Sequence, residues 1–370
     1  ASLLSSQSYV APRNLTEQTL VNIWKELLGI DKVGVYDNFF ELGGHSLMVM
    51  VLVSSINKRL YTNINIDAIF QYPSISILSE HLNSTNPIEQ NILVSLNKNG
   101  RQKPIYLTPS ASGAIDYYHQ LNQSLGKNQP LYCFRCPGLY SKLSVSESIE
   151  EMASTFIVEM QKIDSNGPYR LGGYSFGGII AYEMALQLER EGFKIEELIL
   201  FDCYPIPVNY KIDEMINLNS EFVTLLEQGM SDLFKEKTKI KDSILHGKSK
   251  EHIIEIICDL MKVNELNIKE SEIRGRLEVL YNNLKLKNQY QMKEKINTKI
   301  VLFKALYSND PDGDLKDNLL KTFDNEKVRF DYGWMDYTQK EVSVCEIYSN
   351  HVSILNSPHT GVISEYLKNN

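Results

Sequence analysis

The sequence predicts a small all-α four-helix bundle followed by an α/β domain, in which helices cover both faces of a mostly parallel sheet. Helical periodicity dominates residues 13–83, and strand-like runs alternate with amphipathic helices over residues 104–370. One long helical stretch interrupts this alternation. The 370 residues also exceed the roughly 250–300 at which a single core stops growing, so two domains are expected.

The predicted bundle follows a polar, unpatterned tail over residues 1–12, which we interpret as an upstream linker. Asn14 or Thr16 can cap the first helix. Apolar residues recur on one face of that helix at i, i+3, i+4 and i+7: Leu20, Ile23, Trp24 and Leu27. The other three predicted helices cover residues 46–60, a short turn at 67–70, and an amphipathic segment at 75–82.

Residues 84–103 are rich in Asn, Ser, Lys and Gln and are predicted to form the interdomain linker. The α/β domain follows at 104–370. Its strand-like runs cover residues 104–108, 131–135, 169–172, 197–201, 299–304 and 341–347. The clearest helix covers residues 147–163, with a predicted buried stripe of Ile149, Met152, Ala153, Phe156, Ile157, Met160 and Ile163.

Residues 206–297 contain no convincing strand, and their Lys, Glu, Leu and Ile residues fall at helical spacing. This pattern indicates a helical insertion in the α/β domain. Because long insertions beside a site are often lids, a lid is the hypothesis for this segment.

The composition excludes several classes of protein. A net charge of −8 gives no electrostatic reason to bind nucleic acid. The apolar run Leu47–Val53 is far shorter than the about 20 residues that a membrane-spanning helix needs. Five sparse cysteines do not form a disulfide framework, and the Cys133–Cys136 pair has no second pair with which to bind zinc. We therefore expect a cytoplasmic protein with no membrane partner and no metal site.

The strongest motif of the bundle is Asp37–Leu47, with the sequence D-N-F-F-E-L-G-G-H-S-L. Two glycines allow a tight turn, and Ser46 is predicted to begin the next helix. Free N–H groups and the helix dipole favour an anion there, such as a phosphate ester on the serine. On physical grounds alone, an ordinary N-cap is the favoured interpretation of Ser46.

This motif resembles the signature of the peptidyl carrier proteins of nonribosomal peptide synthetases, and every signature position is matched. The resemblance covers residues 13–83. It implies that Ser46 carries 4′-phosphopantetheine covalently. The preceding Tyr9–Arg13 is similar to the tail that joins an adenylation domain to its carrier.

In the second domain, Gly173–Gly177 reads G-Y-S-F-G. A strand-like run precedes it and an amphipathic helix follows, so Ser175 is predicted at the apex of a nucleophile elbow. The alternative is an ordinary glycine-rich turn between a strand and a helix.

A serine nucleophile needs a base and an orienting acid, in the chain order Ser, acid, His for this fold. His351 follows the last strand and is the better base, because His359 is predicted in the opening turn of the last helix, at the surface. Two acids compete for the remaining role. Asp202 ends the strand 197–201, whereas Asp310 lies in the loop after the strand 299–304.

Residues 103–370 resemble the type I thioesterase domain of nonribosomal peptide synthetases, an α/β-hydrolase, in the elbow, the insertion and Asn350–His351. The resemblance implies that Asp202 is the acid. Two backbone N–H groups should form the oxyanion hole. Phe176 follows the nucleophile, and Ala111 is our choice from the loop after the first strand, although Thr108–Gly113 departs from the family's usual glycine-rich run.

Together these resemblances imply that an acyl or peptidyl thioester on Ser46 is transferred to Ser175 and released by hydrolysis or macrocyclisation. The implied partners are a phosphopantetheinyl transferase, upstream condensation and adenylation domains, and the peptidyl thioester itself, with the chain as a monomer. Three rivals remain: a stand-alone esterase fused to a helical domain, an inactive docking module, and an enzyme that transfers or oligomerises chains.

Overall fold

The computed structural model of the protein describes residues 9–369 apart from several gaps. The gaps are residues 45, 63, 65–67, 70–71, 84–90, 140–143, 207–213, 232–244, 264–269 and 308–329. The chain divides into two compact units: residues 1–90 with 224–274, and residues 91–223 with 275–370.

Three described helices form the bundle: α1 (Leu15–Leu28), α2 (Ser46–Leu60) and α3 (Ile75–Asn83). As predicted, the Asn14 side chain caps α1 by accepting a hydrogen bond from the Glu17 N–H at 2.8 Å. The core packs around Trp24 and Phe39, whose rings meet edge to face at 5.1 Å. Of the predicted turn of helix at 67–70, the structure describes only Ala68 and Ile69, which are helical and buried, so the fourth helix stays a prediction.

Within the described residues, the second unit contains one seven-stranded sheet in the order β1-β3-β2-β4-β5-β6-β7. Strands β2 to β7 pair in parallel, and β1 pairs antiparallel with β3 at one edge. The strands are β1 (Leu93–Asn97), β2 (Ile105–Thr108), β3 (Leu131–Phe134), β4 (Tyr169–Tyr174), β5 (Ile195–Phe201), β6 (Ile300–Tyr307) and β7 (Val342–Asn350).

Strand β1 corrects the prediction that the whole of 84–103 is linker. Residues 93–97 belong to the sheet, where Leu93 lies opposite Phe134 and Val94 opposite Cys133. Val94 and Leu96 pack against the core. Because the residues around them are polar, the sequence pattern does not indicate a strand here.

Helices cover both faces of the sheet. On one face, α4 (Tyr118–Leu125) and α10 (His359–Asn369) pack against the strand residues that include Ile199 and Phe201. On the other face, α5 (Ile149–Gln161) stacks Phe156 on Phe134 at 4.6 Å, and α6 (Phe176–Arg190) lies over Leu200. Helix α5 ends two residues before Ile163, whose side chain is 52% exposed, so its predicted place in the buried stripe is wrong.

The predicted insertion contains three described helices, α7 (Glu214–Ser231), α8 (Lys250–Val263) and α9 (Glu270–Gln289). Its described residues 245–249 and 290–297 are not helical. Its function as a lid stays a prediction. Asp310, the rival acid, lies outside the described residues. Among the helices in the described ranges, none is long and apolar enough to span a membrane.

Candidate active site

The predicted elbow is formed by the end of β4, Ser175 and the start of α6. Ser175 has a left-handed φ of 56°, a strained conformation for a residue with a side chain. A side chain at Gly173 would collide with the backbone of Gly177, so glycine is required for this close approach. The turn places Ser175 at the carboxyl end of the sheet and directly before the first helical residue, Phe176.

Three side chains distant in sequence form one hydrogen-bonded series. The Ser175 Oγ lies 3.1 Å from the His351 Nε2, and the His351 Nδ1 lies 2.7 Å from the Asp202 Oδ2. Asp202 is 2% exposed, whereas the His351 side chain is 37% exposed. The acid is therefore shielded from water, while the base and the serine remain open to a substrate.

Asp202 directly follows β5 and has its own left-handed φ of 44°. Its Oδ1 accepts hydrogen bonds from the Ala305 N–H at 2.9 Å and from the Tyr332 hydroxyl at 2.8 Å. Burial alone would raise the pKa of Asp202. The hydrogen bond and charge of His351, together with the donors at Oδ1, outweigh burial and lower this pKa below its ordinary value. The carboxylate is consequently held ionised and oriented.

His351 follows β7, as predicted, and it is in contact with Tyr174 at the end of β4. The Tyr174 hydroxyl donates to the His351 carbonyl at 2.8 Å, and the two rings lie 4.9 Å apart. The turn after β7 is closed by the Asn350 Oδ1, which accepts from the Ser353 N–H at 2.9 Å. These contacts fix the imidazole between Asp202 and Ser175.

The two predicted oxyanion donors are the N–H groups of Phe176, within the elbow, and of Ala111, in the loop after β2. The Phe176 N–H is in the first turn of α6, where N–H groups lack intrahelical acceptors. In the loop after β2, the Ser110 carbonyl accepts from the Gly113 N–H at 2.9 Å, so the Ala111 N–H of the same trans peptide points the opposite way. The Ser110 N–H is occupied by the Tyr117 hydroxyl. Ala111 remains our predicted second donor.

Helix α9 packs on this loop through Asn283, which is 1% exposed. The Asn283 Nδ2 donates to the Ala111 carbonyl at 3.0 Å and lies 3.3 Å from the Cys136 Sγ. A side chain at Gly113 would meet Val279 of the same helix at 2.7 Å. The loop conformation thus depends on α9.

We expect Asn283→Ala to lower kcat for release of a peptidyl N-acetylcysteamine thioester about tenfold with little change in KM. The substitution leaves the buried Ala111 carbonyl without this donor, which costs about 1–3 kcal/mol and loosens the predicted oxyanion loop. The neighbouring Asn282→Ala is a matched control, because Asn282 donates instead to the Ser146 carbonyl. Equal kinetics for the two variants would contradict a role of Asn283 in the loop.

The C-x-x-C pair has an unreactive environment. Cys133 and Cys136 are both buried free thiols. Burial raises the pKa of both thiols, to about 12 for Cys136, which disfavours the reactive thiolate. In the part of the chain that the structure describes, no group of three or more His, Cys, Asp or Glu residues could hold a metal ion.

Comparison with known protein families shows which family the second unit belongs to. The family model for the thioesterase domain matches residues 103–369. The chain belongs to this thioesterase family. A second family model, for the phosphopantetheine attachment site, matches residues 18–82. The predicted pairing of a carrier with a thioesterase, as in nonribosomal peptide synthetases, is confirmed, and so are the α/β-hydrolase class of the second domain and the covalent phosphopantetheine on a carrier serine.

Individual relatives extend the same similarity. Malpinin synthetase of Mortierella alpina is 26% identical over 98% of this chain, which spans only 4% of the length of that synthetase. A four-domain nonribosomal peptide synthetase, holo-AB3403, covers the whole chain at 26% identity with a TM-score of 0.63, and the chain covers 27% of it. The Vlm2 thioesterase domain with a dodecadepsipeptide shares the fold, with a TM-score of 0.53 at 20% identity over 75% of this chain and 96% of that one.

Several residues of the carrier motif Asp37–Leu47 have clear structural roles. Gly43 has a φ of 99°, and a side chain at Gly44 would collide with the buried ring of Phe39. The Asp37 carboxylate accepts from the Gly34 N–H at 2.7 Å. Helix α2 begins at Ser46, so that residue lies where free N–H groups and the helix dipole favour a phosphate. This position fits a phosphopantetheine attachment site.

Two tyrosines that no sequence pattern points to, Tyr117 and Tyr118, position the thioesterase elbow and the loop beside it. The Tyr118 hydroxyl donates to the Thr108 carbonyl at 2.8 Å and accepts from the Tyr174 N–H at 2.9 Å. It therefore bridges the ends of β2 and β4, where the predicted oxyanion loop and the elbow begin. The adjacent Tyr117–Tyr118 pair was the available signal, but only the tertiary structure shows which groups these hydroxyls reach.

Proposed function

We propose that the chain releases an acyl or peptidyl group from a thioester on its own carrier domain through an acyl-enzyme on Ser175. The observation that carries this proposal is the series Ser175–His351–Asp202, in the order and geometry of a serine hydrolase triad. The phosphopantetheine is proposed to be attached at Ser46, and when bound it supplies the thiol that holds the acyl group.

In the first step, the Ser175 Oγ attacks the thioester carbonyl while the His351 Nε2 takes the hydroxyl proton. Asp202 keeps the Nδ1–H of His351 in place and stabilises the imidazolium that forms. The Phe176 and Ala111 N–H groups are proposed to stabilise the oxyanion. The carbon–sulfur bond then breaks, and His351 returns the proton to the leaving thiolate.

In the second step, a nucleophile attacks the ester on Ser175 and gives its proton to His351, which passes it to the departing Ser175 oxygen. Water gives a linear acid, and an amine or hydroxyl of the bound chain gives a ring. The helical insertion predicted over 206–297 is proposed to favour one outcome by excluding water and folding the substrate. Upstream condensation and adenylation domains and a phosphopantetheinyl transferase are the proposed partners of this chain, which we propose to be a monomer.

Intact-protein mass spectrometry tests this function. A promiscuous phosphopantetheinyl transferase would load wild type and Ser46→Ala from a short acyl-coenzyme A. We expect an acyl-pantetheine mass shift on wild type only, followed by loss of the acyl group with time. Wild type pretreated with an alkyl fluorophosphonate, mapped to Ser175, should keep its acyl group.

Three outcomes would count against the proposal in different ways. Failure to load wild type contradicts Ser46 as the carrier site. Equal acyl loss from treated and untreated protein contradicts Ser175 as the nucleophile. Products longer than one loaded chain would favour chain transfer over simple release.

A further inference from the structure

A short turn after the gap at 308–329 packs against the residues that follow β5. We call residues 331–334 the clamp turn. The Asp331 carboxylate closes it by accepting from the Gly333 N–H at 3.0 Å and the Met335 N–H at 2.8 Å. Within it, Tyr332 adopts a left-handed φ of 57° and is 1% exposed. The clamp turn is therefore an ordered structure that keeps a strained tyrosine in the core.

The clamp turn contacts the three consecutive residues that directly follow β5. The Tyr332 hydroxyl lies 2.8 Å from the Asp202 Oδ1, and the Trp334 Nε1 donates to the Cys203 carbonyl at 2.8 Å. The rings of Tyr332 and Tyr204 stack with centroids 3.9 Å apart. One turn thus holds both the carboxylate of the acid residue and the carbonyl of the residue that follows it.

The direction of the hydrogen bond between Tyr332 and Asp202 follows from their charges. Burial and the negative charge of Asp202 raise the pKa of Tyr332 well above its ordinary value, so its hydroxyl remains protonated. The Ala305 carbonyl is a second neighbour at 3.3 Å, but a carboxylate is the stronger acceptor. The hydroxyl consequently donates to Oδ1.

We propose that Tyr332 is a positioning residue of the triad, whose hydroxyl holds the Oδ1 of Asp202 so that Oδ2 stays directed at His351. The Ala305 N–H alone leaves the carboxylate free to rotate about its bond to Cβ. A second donor at the same oxygen, on a ring fixed by Tyr204, removes that freedom. This inference rests on the proposed serine mechanism.

The hydrogen bond should also affect the pH dependence of the triad. Tyr332 stabilises the anionic carboxylate, and its loss should make the His351–Asp202 pair more basic. The pair would then take up its proton at a higher pH, so reactivity would fall earlier on acidification. Among the described residues, three other titratable side chains interact electrostatically with Asp202: Tyr174, Cys203 and Tyr204. The Lys304 ammonium lies over the ring of Tyr332.

The test measures the second-order rate constant for labelling of Ser175 by an alkyl fluorophosphonate as a function of pH, on the full chain. This probe needs no knowledge of the peptide substrate. For Tyr332→Phe we expect a decrease of about tenfold near neutral pH, as for loss of a hydrogen bond to a charged group, and an acid-side midpoint at higher pH than in wild type. If Tyr332 had only a structural role, Tyr332→Phe would not move the acid-side midpoint of the labelling rate.

Tyr337→Phe is the matched control, because the Tyr337 hydroxyl contacts the Ile206 carbonyl rather than the triad. If Tyr332→Phe and Tyr337→Phe share the wild-type rate and midpoint, the positioning role is wrong while the serine mechanism stands. If the probe fails to label Ser175 in wild type, the proposed function fails first.

A second substitution covers the case in which Tyr332→Phe does not fold. Difluorotyrosine incorporated at position 332 keeps the ring and the hydroxyl but makes the hydroxyl a stronger donor. We expect the acid-side midpoint to move to lower pH, opposite to the effect of phenylalanine. An unchanged midpoint would overturn the proposal.

Discussion

Ser175→Ala is expected to slow loss of the acyl group from the loaded carrier by on the order of 10⁶-fold, equivalent to about 8 kcal/mol of barrier. The alanine removes the nucleophile itself, so no acyl-enzyme can form. His351 and Asp202 remain paired, but they have no Oγ to activate. The measurement is the single-turnover rate of acyl loss by intact-protein mass spectrometry, with fluorophosphonate labelling as a second readout.

Two comparisons make this result specific to the nucleophile. Ser165→Ala, in the loop before β4, removes an exposed serine far along the strand from the elbow and should behave as wild type. Ser175→Cys restores a nucleophile at the same place and should regain covalent acylation. Labelling of Ser175→Ala by the fluorophosphonate at the wild-type rate would contradict the assignment.

The elbow was predictable because its chemistry is local. Gly173 is required by its close approach to the backbone of Gly177 within the same turn, and the strand and helix on either side of Ser175 have clear hydrophobic patterns. The place of His351 after the last strand was predictable for the same reason. The carboxyl ends of parallel strands lie at the same edge of the sheet. A residue that directly follows one of these strands is therefore close to the active site.

The contacts that orient the triad were not predictable, because they join segments distant in the chain. Tyr332 lies 130 positions from Asp202, and Asn283 lies 172 positions from Ala111. No periodicity or spacing links such pairs. Strand β1 escaped prediction for another reason: a half-buried edge strand of five residues has too few apolar side chains to stand out from a polar linker.

Asp202→Asn is expected to lower kcat/KM for thioester release by about 10⁴-fold, or about 5 kcal/mol of barrier. The Ala305 N–H and the Tyr332 hydroxyl both donate to Oδ1, so the asparagine oxygen will occupy that position. Its NH₂ group then faces the His351 Nδ1 and donates to it. The proton of the neutral imidazole must move to Nε2, which can no longer accept the Ser175 proton.

The measurement is kcat/KM for a peptidyl N-acetylcysteamine thioester at neutral pH, together with thermal unfolding to show that the variant folds. Asp164→Asn is the matched control, since Asp164 accepts backbone N–H groups in the loop at the opposite end of β4. If Asp202→Asn keeps wild-type activity and Asp310→Asn loses it, the acid is Asp310. Tyr332 would then have no positioning role either, because it acts only through Asp202.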